Sequence, residues 1–84
     1  MGITQENARK LQTFRCESST LTSGDFFVTT LLFSDGEIVV LEGETRRSGS
    51  PGDVSEAAIY EGYGCYRPLT VDDLKALTER YNDV

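Results

Sequence analysis

Histidine is absent from this 84-residue chain. Without it there is no Ser–His or Cys–His pair to activate a nucleophile, and zinc loses its usual nitrogen ligands. The two cysteines, Cys16 and Cys65, are too far apart for a paired metal motif, so no zinc-ligand pattern can be written. They read as free, buried thiols serving as small apolar residues, with a disulfide as the alternative. Long apolar runs are also missing. The longest falls well short of the roughly 20 residues of a membrane helix. Met1–Glu6 carry neither a charged-then-apolar leader nor, with Glu at position 6, a myristoylation pattern. A cytoplasmic location is expected.

Positive charge is missing from a long stretch. No Lys or Arg occurs between Cys16 and Thr45, whereas Glu17, Asp25, Asp35, Glu37, Glu42 and Glu44 all fall there. Fourteen acids against eight bases give a net charge of −6. Such a field repels phosphates and attracts basic surfaces, which disfavours direct binding of nucleic acid. Repeats and low-complexity tracts are absent, and the length fits one domain over residues 1–84.

What is present is a strong hairpin signal. Phe26–Phe33 and Ile38–Leu41 flank Ser34-Asp35-Gly36-Glu37. Asp-Gly between such runs favours a two-residue type I′ turn. That turn predicts Phe33 opposite Ile38, Leu32 opposite Val39 and Leu31 opposite Val40. Phe27, Leu31, Phe33, Ile38 and Val40 then share one face, and Phe26, Val28, Leu32, Val39 and Leu41 the other. Both faces are apolar, and so short a chain has little with which to cover them.

The flanking segments complete an α+β fold. Thr4 to Gln12 reads as a short helix, with Thr4 as cap and Ile3 stapled on Ala8. Alternation over Thr13–Thr20 suggests a strand, and Arg46–Gly52 reads as a loop. Two readings are open for the stretch beyond it. One is a helix from Ser50 with Val54, Ala57 and Ala58 inward; the other is a strand over Ala57–Tyr66. Thr70 and Asp73 form a capping box for a final helix, with Leu69 as staple and Val71, Leu74, Leu77 and Tyr81 as its stripe. The expected fold is a small antiparallel meander of three to four strands. The C-terminal helix packs on one face, and the N-terminal helix screens part of the other. Three or four large side chains left wet would forgo about 1.5–3 kcal/mol each, so a homodimer, by sheet or edge contact, or a tight complex is expected.

No stretch spells out a catalytic or cofactor site. Glu42 and Glu44 alternate onto one face, that of Phe27 and Val40, and could imitate a glycosidase carboxylate pair; the preferred reading is edge protection at the solvated end of a strand. Cys65 lies among acids, which oppose thiolate formation. Gly62-Tyr63-Gly64 lacks the context of a phosphate loop, and Asp35-Gly36-Glu37 is too short for a calcium loop. The tyrosines are more suggestive, since tyrosine is enriched at binding surfaces. Tyr60, Tyr63 and Tyr66 are therefore assigned to a partner surface with Asp35, Glu37, Glu42, Glu44, Glu56 and Glu61. Tyr60 and Tyr66 would share a face and Tyr63 lie on the other.

Together these features predict a non-catalytic protein-binding module without metal or cofactor. Its partner would be a protein with a basic, nucleic-acid-handling site, which it blocks. In size and charge alone the chain is similar to small acidic phage-encoded inhibitors, anti-CRISPR and immunity-type proteins among them. The alternative is an assembly subunit that forms a homo-oligomer through its sheet.

Overall fold

The structure is a computed structural model and describes residues 4–81. The predicted staple of Ile3 on Ala8 lies outside the described residues. Helix α1 (Gln5–Gln12) is followed by strands β1 (Glu17–Ser23), β2 (Phe26–Leu32), β3 (Ile38–Thr45), β4 (Pro51–Gly62) and β5 (Cys65–Pro68), then helix α2 (Val71–Tyr81). The strands form one antiparallel sheet in chain order, β1-β2-β3-β4-β5. The α+β class stands, with five strands in place of three to four. The extra strand comes from residues 51–68, where the helical reading fails. Val54, Ala57, Ala58 and Ile59 pair along β3 instead, and Gly62-Tyr63-Gly64 turns the chain back so that Tyr66 pairs with Tyr60; the single strand expected over Ala57–Tyr66 is thus two.

The turn between β2 and β3 sets the character of the sheet. Phe33 N–H donates to Glu37 O at 2.9 Å and Gly36 N–H to Phe33 O at 3.0 Å. The loop is therefore three residues, Ser34-Asp35-Gly36, and only Gly36 takes a left-handed φ, +92°. A turn closed by a left-handed glycine is the commonest three-residue hairpin. It shifts the pairing by one residue from the predicted register: Leu31 faces Val39 and Thr30 faces Val40. Because side chains alternate, a one-residue shift moves every β3 side chain to the other face. Val39 and Leu41 join Phe27 and Leu31, while Ile38 and Val40 join Phe26 and Val28.

Both helices pack on the Phe27 face, and neither screens the other. Ala8 and Leu11 of α1 and Leu74 and Leu77 of α2 are buried with Phe14, Phe27, Leu31, Phe33, Val39, Leu41, Val54 and Ile59 in one core. Phe14, predicted in a strand, instead follows α1 and packs on Phe33, with ring centroids 6.4 Å apart. Accordingly β1 starts later, at Glu17. The capping box forms as expected: Thr70 N–H donates to Asp73 Oδ2 at 2.9 Å and Asp73 N–H to Thr70 Oγ1 at 3.1 Å. Thr4 caps α1 by accepting from Asn7 N–H at 3.1 Å. Of the α2 stripe, Leu74, Leu77 and Tyr81 pack inward, but Val71 is 75% exposed.

Gly43 fixes the bent middle of β3. A Cβ there would lie 2.2 Å from Asp53 O and 2.7 Å from Phe27 Cε1. The register between β3 and β4 is irregular on both sides of it, as expected where a glycine lets two backbones approach. The cysteines are unbridged: Cys16 is half-buried, and Cys65 is exposed rather than buried.

Candidate functional site

The face away from the helices is open, and the shifted register determines what it displays. From β2 come Phe26, Val28 and Leu32; from β3 come Ile38, Val40, Glu42 and Glu44. Glu56, Ala58 and Tyr60 of β4 and Tyr66 of β5 continue the row. Phe26 is 63% exposed, in contrast to its buried neighbour Phe27. Glu42 and Glu44 do share a face with Val40, as the alternation predicts, but not with Phe27.

Glu42 lies directly opposite Glu56 across β3 and β4. Cβ atoms of directly opposed residues sit about 4.5–5.5 Å apart, and like charges so placed repel. Glu44 stands opposite Phe26. None of the three makes an ion pair among the described residues. Val40, Ala58, Tyr66, Arg67 and Pro68 line a shallow groove beside Glu42 and Glu56, the Arg67 guanidinium being taken by Glu61 and Asp73. Near the groove the Tyr60 and Tyr66 rings pack with centroids 5.0 Å apart. The Tyr60 hydroxyl accepts from Gly64 N–H at 3.0 Å, which stiffens the β4–β5 hairpin. Apolar floor, aromatic wall and uncompensated carboxylates thus occur together.

The other predicted partner residues lie elsewhere. Tyr63 sits at the hairpin tip, fully exposed and with a left-handed φ of +55°. Glu61 is held by Arg67 Nε at 2.5 Å, and Arg67 also grips Asp73. Asp35 is held by Arg80 Nη1 at 2.6 Å at the β2–β3 turn, beside half-buried Glu37. The Tyr81 hydroxyl, the Glu37 backbone N–H and Arg80 hold its carboxyl below its ordinary range. Asp35 and Glu61 are thus neutralised by cations of their own chain. Sequence reasoning did not assign Phe26, Val28, Val40 and Ala58 to the site. Alternation through β2 already placed Phe26 and Val28 on one face; Val40 and Ala58 join them only through the three-residue turn and the β3–β4 pairing.

Among the described residues no group of three or more Cys, Asp or Glu side chains is placed to hold a metal ion. No helix among them is long and apolar enough to cross a membrane. No protein-family model, curated protein or solved structure matches the chain.

Proposed function

We propose that the chain is a non-catalytic binding module whose open sheet face occupies a basic surface on another protein. The observation that carries this is the opposed pair Glu42 and Glu56, with no ion pair among the described residues, in the middle of an exposed, partly apolar face. Folding alone gains nothing from that repulsion, whereas a partner's Arg or Lys would relieve it. The surrounding Phe26, Val40, Tyr60 and Tyr66 supply the apolar and aromatic contact typical of an interface core. With the net charge of −6, the partner class is a protein whose basic groove ordinarily holds nucleic acid. The module acts as an inhibitor by filling that groove, its carboxylates standing where phosphates would.

The immobilised chain tests this on nuclease-treated extract of its native host. The retained species should be a basic nucleic-acid-binding protein that elutes as salt rises from about 0.1 to 1 M, where screening shortens from about 10 to 3 Å. Once bound, it should no longer shift its nucleic acid in a gel. The triple substitution Glu42→Gln, Glu44→Gln, Glu56→Gln should abolish retention. A partner indifferent to both salt and these substitutions overturns the reading.

A further inference from the structure

The two edges of the sheet are built differently. β5 is four residues long, ends in Pro68, which has no N–H to offer, and meets β4 through an irregular register. Arg67 on it is gripped by Glu61 and Asp73. These devices, shortness, proline, irregularity and charge, are those by which proteins keep an edge from pairing. Of these β1 has only a charge at its first residue, Glu17. It pairs with β2 through all seven residues without a bulge, and its sequence Glu17-Ser18-Ser19-Thr20-Leu21-Thr22-Ser23 contains neither proline nor a cation. All seven residues are exposed on both faces, so the helix layer stops short of this strand. Leu21 is 77% exposed on the outermost row of the open face.

We propose that a second copy of this chain docks along β1, antiparallel strand to strand, so that two five-stranded sheets join into one. The strand complements itself. A two-fold axis through Thr20 sets Glu17 opposite Ser23, Ser18 opposite Thr22 and Ser19 opposite Leu21, with no like charges facing. The two Leu21 side chains then lie on a diagonal within reach of each other. Centring on Leu21 instead would leave Glu17 and Ser18 beyond the end of the second copy's strand at Ser23, which disfavours that register. The open face cannot serve the same purpose, because stacking it on its twin would press two sets of Glu42, Glu44 and Glu56 together in a desolvated contact. Pairing along β1 leaves those carboxylates free, and the perpendicular two-fold axis puts both acidic faces on the same side. The dimer does not depend on the proposed function. If both hold, the partner meets a doubled surface and binds with avidity.

Light scattering coupled to size exclusion, from about 1 µM to 1 mM, reads the assembly directly. A concentration-dependent dimer is expected for the parent chain. Ser19→Lys and Leu21→Lys, both exposed and on the open face, should shift the midpoint at least tenfold upward with unchanged circular dichroism. Glu42→Gln with Glu56→Gln should leave it in place. Should either lysine variant misfold, hydrogen exchange of the parent chain decides: β1 amides gain protection as concentration rises. A strict monomer throughout, a dimer indifferent to both lysines, or one that tightens when Glu42 and Glu56 are neutralised overturns the proposal. The last outcome would instead indicate face-to-face stacking.

Discussion

Arg67 grips Asp73 with two nitrogens, at 2.5 and 2.7 Å, and so ties the edge strand β5 to the first turn of α2. Asp73 also completes the capping box with Thr70. Hydrogen bonds from Arg67 above all hold its carboxyl well below the usual aspartate range. A carboxylate whose folded value is depressed contributes stability that is full above the unfolded value and is lost as pH falls. Stability should therefore hold at neutral pH and decline below about pH 4. Asp73→Ala should cost about 1–2 kcal/mol at pH 7 through the lost Arg67 pair and the lost reciprocal arm of the capping box and flatten the acid limb of a pH series of urea melts.

Tyr81 presents its hydroxyl to Asp35 and is the largest influence holding that carboxyl down. Tyr81→Phe should move the Asp35 titration, followed by carboxyl-carbon NMR, upward toward the ordinary range. It should move it further than Arg80→Ala does, since the arginine charge is a lesser contributor.

Phe26 and Phe27 are adjacent but face opposite ways. Phe27→Ala should cost about 3–5 kcal/mol, as expected for emptying a sealed core site. Phe26→Ser should change unfolding free energy by no more than about 0.5 kcal/mol. Equal losses in denaturant titration would contradict the assigned register.

Gly43→Ala should destabilise by about 1–3 kcal/mol, because the added methyl meets Asp53 O and the Phe27 ring. A thermal melt unchanged from the parent would mean that β3 and β4 separate more easily than their approach suggests.

Glu42→Gln should stabilise the isolated chain by about 0.2–1 kcal/mol by removing its repulsion with Glu56. The gain should vanish at high salt. A site kept for binding is expected to behave this way, with stability rising as the contact is dismantled.

Local signals proved legible, whereas those resting on distant partners did not. The α2 start could be read from Thr70 and Asp73 because a capping box is contained in four residues. Alternation placed Tyr60 and Tyr66 on one face, but of a single strand over Ala57–Tyr66; the reversal at Gly62-Tyr63-Gly64 splits that strand and sets the two rings opposite each other instead. The turn misled because Asp-Gly serves both a two-residue loop and the end of a three-residue one. In the longer loop Phe33 pairs with Glu37 and packs on Tyr81 of α2, with centroids 4.6 Å apart, a contact that only the tertiary fold supplies. Residues 51–62 were ambiguous because Val54, Ala57 and Ala58 suit either period, and pairing with β3 settles the matter. The fates of Asp35 and Glu61 depended on Arg80 and Arg67, brought close only by the tertiary fold.

Gly36 holds a conformation that the other residue types adopt reluctantly, and everything downstream inherits its parity. Excising one loop residue there would carry Val39 and Leu41 out to water and draw Glu42 beneath the helices. The molecule's inside and outside would trade places along that strand. A single backbone angle thus separates what this protein hides from what it shows.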